Sequence, residues 1–237
     1  MSLKDVRQNP NPRLARSRRR RRTTGTVEPG TAFAASWERV HARQARAIEQ
    51  GARMPEPPGP QSDLVRGLRT LLRDRQIRSI LDIGCGDMGW WPHVLGDADI
   101  RFYGVDISMP LIRANANRFR QRKEWTFHAA DARTQEFPTV DLIVCRHVLN
   151  HLWSVDAVAV RRNITRNAQL VALTHDPTLR SNKGDGMRNA LAPDAPRATT
   201  FTALNMRRPP FMPMPTVAFV PDEFDQQLAF FPGRTLG

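Results

Sequence analysis

Two cysteines, Cys85 and Cys145, are too few for a disulfide framework, and a reducing, cytoplasmic compartment is the expectation. No apolar run approaches the roughly 18 residues that a membrane span needs. The N-terminal residues also lack the apolar centre of a secretory signal, so secretion is not expected. No H-E-x-x-H pattern occurs and no third ligand accompanies the histidines, so no metal site is expected. Acidic residues are scarce at one end. Residues 1–22 hold nine Lys and Arg side chains against Asp5 alone, so this tail carries +8 of the formal +13. The remainder is only mildly basic, and the high isoelectric point is mostly a property of the tail.

What is present is a regular alternation. With 237 residues, the chain is long enough for one α/β domain with a sizeable core and an additional segment. Residues 1–30 offer almost nothing to bury and read as a disordered tail. Its run Arg18 to Arg22 suits RNA or another polyanion, or a targeting role; a solvated tail without a partner is the competing reading. Thr31 to Ala52 reads as a helix, and Pro55 to Pro60 as a linker. Ser62 then caps an amphipathic helix to about Arg75, with Leu64, Val65, Leu68, Leu71 and Leu72 on one stripe.

From there the predicted strands are Ser79–Ile83, Arg101–Ile107, Trp125–Ala130, Val140–Cys145 and Gln169–Thr174. Helices are predicted at Met88–Leu95, Pro110–Arg122 and Ser154–Asn167. Alternation of this kind gives a doubly wound parallel sheet with helices on both faces and ligands at the carboxyl ends of its strands. Residues 177–200 read as a long polar loop. Thr216–Val220 and Gln227–Phe231 read as a terminal antiparallel pair.

The first strand ends in three glycines within six residues. Gly84, Gly86 and Gly89 fit G-x-G-x-x-G, where backbone can approach a ligand because no Cβ intrudes. Asp106 lies 22 positions after Gly84, where a carboxylate accepts from ribose hydroxyls. Both signals fit NAD or S-adenosylmethionine. Three others decide. Asp82 precedes the loop, where a carboxylate would repel a pyrophosphate but attract an ammonium and a sulfonium. Asp131 ends the third strand and can accept from an adenine amine. Asp141 to Leu152 runs from an apolar strand into a polar turn holding Arg146, His147 and His151.

Ile80–Gly86, Tyr103–Ile107, Ala130–Ala132 and Asp141–Leu152 together resemble the ordered motifs of class I S-adenosylmethionine-dependent methyltransferases. The resemblance covers roughly residues 62–175, with a looser continuation through Phe201–Asn205. It implies a Rossmann-like α/β sheet of seven strands, mostly parallel, with an antiparallel last strand. The methyltransferase domain would span 31–237, divided into N-terminal helices at 31–75, a cofactor-binding core at 76–176, and a substrate-side loop with terminal strands at 177–237. It implies S-adenosyl-L-methionine as cofactor. Gly84 and Gly86, with Cys85 between them, would pass beneath the cofactor, and Asp106 would hold the ribose. Ile107 would pack on adenine, Asp131 and the Ala132 amide would read the adenine edge, and the Cys145–Arg146 backbone would lie beside the methionine part. One position departs from the family: Met88 stands where glycine is common.

His147 and His151, four apart, are the candidate bases, placed on one face of a helical turn. Of Trp90 and Trp91, at least one is expected in the core. Cys85 and Cys145 are expected as free, partly buried thiols on neighbouring strands. No Asp/Asn-Pro-Pro-aromatic tetrapeptide and no Pro-Cys pair is present, which argues against the common DNA base methyltransferases. A small molecule, a protein side chain or an RNA is left as acceptor, with Arg207 and Arg208 on the substrate side. The alternative is a non-catalytic RNA- or polyanion-binding protein on the same scaffold.

Overall fold

An apolar stripe with a good cap makes the first of the described helices. In the computed structural model, which describes residues 57–152, 154–182, 203–211, 215–222 and 226–233, helix α1 spans Asp63–Asp74. Ser62 Oγ accepts from the Val65 amide at 3.3 Å, closing one orphan donor of the first turn. The stripe Leu64, Val65, Leu68, Leu71 and Leu72 is buried against the sheet, as the 3.6-residue period requires. The proposed tail at 1–30, the helix at 31–52 and most of the loop at 177–200 lie outside the described residues.

Seven strands follow: β1 Ser79–Ile83, β2 Arg101–Asp106, β3 Trp125–Ala129, β4 Val140–Cys145, β5 Ala168–His175, β6 Ala218–Pro221 and β7 Gln227–Pro232. Between them lie α2 Trp91–Leu95, α3 Met109–Arg118, a single 3-10 turn at Leu149–His151, and α4 Ser154–Ile164. The sheet order is β3-β2-β1-β4-β5-β7-β6. All neighbours through β5 are parallel, and β7 runs antiparallel to both β5 and β6. This is the mostly parallel, seven-stranded Rossmann-like arrangement with one reversed strand.

Two apolar layers cover the sheet. One joins α1, Trp91 and Phe102 to Val220 and Phe230. The other joins Leu81, Ile143 and Val171 to α4 and to Leu204, Met206 and Phe211. Strands buried on both faces need near-continuous apolar sequence. β1 is buried at all five positions and β5 at seven of eight.

Asparagines tie the 203–211 segment to the end of β5. The Asn182 side chain donates to the carbonyls of Asn205, Arg208 and Pro209. Its Oδ1 accepts from the Asn205 amide at 2.8 Å. Asn205 in turn donates to the Leu179 carbonyl.

One predicted helix is shorter than its sequence implies. Met88–Leu95 is expected as helix, yet α2 begins only at Trp91. The cause is Met88, whose φ of 61° is left-handed. For an L-residue that conformation costs roughly 1–2 kcal/mol. Met88 is fully buried, and burial of such a side chain returns a comparable or larger amount, roughly 1.5–3 kcal/mol. The turn therefore holds without glycine.

Candidate functional site

Strand order reverses between β1 and β4, the place where an open α/β sheet leaves a crevice. Asp82 of β1 registers with Val144 of β4, so the glycine loop and the turn after β4 leave the sheet side by side. Gly84 and Cys85 both donate to the Val105 carbonyl, at 2.7 and 3.0 Å, which folds the loop back over β2. Gly84 has φ 73°, and a Cβ there would stand 2.3 Å from Val148 Cγ2. Gly86 has φ 55°, and a Cβ there would meet nothing within 4 Å, so its face is open to a ligand. Gly84→Ala combines left-handed strain with a clash. We expect it to cost about 2–3 kcal/mol, read as a lower urea midpoint.

Asp82 is 3 % exposed. The Trp91 indole donates to its Oδ2 at 2.5 Å. Burial, opposed by that hydrogen bond and by Arg146 but reinforced by Asp106, lifts its carboxyl to about 7. Cys145 ends β4 and Cys85 lies two residues past the end of the neighbouring β1; both are free, as expected, but both are buried rather than partly buried. Burial pushes both thiols up, so neither is a thiolate at neutral pH.

Asp106 ends β2 beneath this loop. Its Oδ2 accepts from the Gly86 amide at 3.1 Å and its Oδ1 from the Ser108 amide at 2.9 Å. Four lone-pair sites leave acceptor capacity beyond these two bonds. Ile107 follows, half-buried. The end of β3 lies alongside, since Ala130 N–H donates to the Asp106 carbonyl. Asp131 there is gripped by Arg133, whose Nε lies 3.0 Å from both carboxylate oxygens and whose Nη2 lies 2.5 Å from Oδ2. Arg133 Nη1 also reaches Asp156 of α4 at 3.2 Å. The Ala132 carbonyl accepts from Asn163 of the same helix.

A second buried ion pair forms after β4. Arg146 Nε lies 3.0 Å from both oxygens of Asp222, and Nη2 lies 2.8 Å from Oδ1. The Asp222 side chain is 0 % exposed. The Arg146 guanidinium also lies over the Trp90 ring at 5.4 Å. Trp90 therefore borders this group, while Trp91 belongs to the core.

His147 has φ 54°. Its amide donates to Thr174 Oγ1 at 2.8 Å. Its Nε2 is 3.5 Å from Asp222 and its Nδ1 is 3.5 Å from Asn150 Nδ2. The helical turn that would align His147 with His151 does not form, because a left-handed residue cannot continue a right-handed helix. Burial, together with Arg146 and against the pull of Asp222, lowers the His147 imidazole to about 4.

The loop, Asp82, Asp106 and Asp131 thus meet at one end of the sheet, with Arg146 and His147 beside them. His151 is half-buried in the 3-10 turn. Sequence reasoning missed Asp222, Arg133 and the bond from Trp91 to Asp82. Asp222 is 76 residues from Arg146, and no local pattern marks it. Arg133 carried a signal, being two residues from an acid at a strand end. Arg207 and Arg208 are exposed. Among the described residues, no group of three or more acidic, His or Cys side chains is placed to hold a metal ion. No helix among them is long and apolar enough to cross a membrane.

Residues 80–169 match the family model described as a methyltransferase domain. Together with the sheet described above, this match places a methyltransferase domain of Rossmann-like fold over the part of the chain that carries the glycine loop, Asp106 and Asp131. The PH0226 protein from Pyrococcus horikoshii OT3 shares the fold at a TM-score of 0.54 and 17 % identity, over 76 % of this chain and 96 % of that one. The methyltransferase domain of bacterial CtHen1 is similar at 0.44 and 18 % identity, over 49 % of this chain and 66 % of that one. An S-adenosylmethionine-dependent methyltransferase from Clostridium acetobutylicum ATCC 824 is similar at 0.44 and 14 % identity, over 58 % of this chain and 56 % of that one. The chain spans 35 % to 66 % of the first solved structures it matches. No curated protein matches the sequence.

Proposed function

We propose that this protein transfers the methyl group of S-adenosyl-L-methionine to an acceptor that is a small molecule, a protein side chain or an RNA. The observation that carries the reading is the loop itself. Gly86 presents an open backbone face, and its amide is fixed by Asp106, the carboxylate suited to ribose. Gly84, Cys85 and Gly86 pass beneath the cofactor, and Asp106 accepts from the ribose hydroxyls. Ile107 packs on adenine, while Asp131 and the Ala132 amide read its edge. Asp82 supplies negative charge toward the cofactor's ammonium, and the Cys145–Arg146 backbone borders its methionine part. The bound cofactor supplies an electrophilic methyl on sulfur. The chain's own contribution is alignment of the acceptor and exclusion of water. His147, neutral at pH 7 by its low imidazole value, is the candidate proton acceptor and a weak one. His151 is the second candidate.

Calorimetry with S-adenosylmethionine tests the donor site. Micromolar binding is expected, and Asp106→Ala should weaken it about 100-fold, the worth of two hydrogen bonds to a charged group. Binding that survives the substitution unchanged would remove Asp106 from the site. A tritiated-methyl transfer screen across RNA, protein and small-molecule fractions identifies the acceptor.

The run Arg18–Arg22 favours a second reading, a non-catalytic polyanion binder. RNA affinity and its salt dependence, compared between the full chain and one starting at Thr31, separate the two.

A further inference from the structure

Arg133 is held more tightly than a loop arginine needs to be. Its guanidinium makes a forked contact with Asp131, and its third nitrogen reaches Asp156. The Arg133 and Asp156 side chains are 16 % and 15 % exposed. The loop beneath is fixed as well. Asp131 Oδ1 accepts from the Arg133 amide at 2.9 Å, and the Asp131 carbonyl accepts from the Thr134 and Gln135 amides. From α4, Asn163 donates to the carbonyls of Ala132 and Gln135, at 3.0 and 2.7 Å. A carboxylate and a backbone amide at the end of β3 are thereby locked together onto one helix.

The charge balance has a chemical consequence. Two carboxylates and one guanidinium leave a net charge of −1. Burial alone would raise the Asp131 carboxyl, but the hydrogen bonds from Arg133 more than reverse this, and it sits below its ordinary value. An ionised carboxylate only accepts hydrogen bonds. Three donors of Arg133, its amide, Nε and Nη2, engage the carboxylate, whose four lone-pair sites leave acceptor capacity beyond them. Such a group welcomes a donor and repels an acceptor.

Resting on the methyl-donor reading above, we propose that Arg133 is a positioning residue that holds Asp131 as a fixed, acceptor-only carboxylate, so that the cofactor pocket selects a 6-aminopurine over a 6-oxopurine. Asp156 supports the guanidinium from the far side. Without Arg133, Asp131 is free to rotate or to take up a proton. A protonated carboxyl donates as well as accepts, so it no longer distinguishes the two bases.

The experiment titrates S-adenosyl-L-homocysteine and S-inosyl-L-homocysteine into the full chain by calorimetry, with melting temperatures measured in parallel. The native protein should prefer the adenosyl compound by about 100-fold, since the wrong base leaves a buried polar group mispaired. Arg133→Met should reduce that ratio to about 10-fold or less, and Arg133→Lys should recover part of it. Asp156→Asn leaves the fork on Asp131 and should lower the ratio only slightly, which covers the case in which Arg133→Met does not fold. If Arg133→Met weakens both ligands equally and keeps the ratio, Arg133 merely ties the loop to α4 and the inference fails. If the native protein binds neither compound, the methyl-donor reading fails and takes this one with it.

Discussion

Asp222→Ala is expected to lower the unfolding free energy by about 3–5 kcal/mol, the usual cost of deleting one partner of a buried ion pair. The Asp222 carboxylate has no exposed surface and meets Arg146 through both oxygens. The Arg146 side chain is itself only 11 % exposed, with its guanidinium over Trp90, so water cannot replace what is lost. Asp222→Asn should cost less, because an amide oxygen still accepts, although the charge goes uncompensated. The check is a urea titration combined with a cycle through Arg146→Met. In that background Asp222→Ala should cost far less than it does alone, because the two side chains share one interaction. Equal costs in both backgrounds would mean that the pair is not what anchors Asp222.

The second large effect concerns Asp82, and here stability and function pull in opposite directions. Its carboxyl stands at about 7 in the fold against an ordinary value of 3.8. Between those values the unfolded chain has released the proton and the folded chain still holds it. Folding stability therefore falls as pH rises from about 4 to about 7, and above that the full cost of the buried charge is present. The rise from 3.8 to about 7 corresponds to about 4 kcal/mol at most. Asp82→Asn keeps an acceptor for the Trp91 indole and removes the charge. The variant should match the native protein at pH 4 and exceed it by up to that amount at pH 8, read as a higher urea midpoint. Cofactor affinity should move the other way. A cationic cofactor favours the ionised carboxylate, so native binding should tighten as pH rises through 7 and release a proton into the buffer. The variant should bind weakly and without that pH dependence. A variant that is no more stable at pH 8 would show that burial does not raise the Asp82 carboxyl in the fold.

The five parallel strands and their order of use were legible because each is a short apolar run closed by glycine, aspartate or a polar turn. The loop residues were legible for the same reason: Asp82, Gly84, Gly86 and Asp106 sit at fixed offsets from strand ends. Helix starts were less so. Met88 looks like a helix former, and only tertiary burial reveals that it takes the left-handed turn. His147 misled in the same way, since spacing of four implies a shared face only if the intervening backbone is helical. Pairings that cross the chain were invisible. Asp222 with Arg146, and Asn182 with Asn205, depend on how the last strands dock, and no periodicity encodes that.

The position of β7 sets an order of assembly. It lies between β5 and β6, although it follows both in the chain. As the polypeptide leaves the ribosome, β1 to β5 can pair in sequence, but β6 has no strand to pair with until residues 227–232 emerge. Until then the outer edge of β5 is an open template for any passing strand. Asp222, on the turn between the two late strands, reaches Arg146 only at that last step. The pocket that uses residues from the middle of the chain is thus finished by its final strand, and a nascent chain lacking that strand would expose both an adhesive edge and the guanidinium that Asp222 otherwise covers.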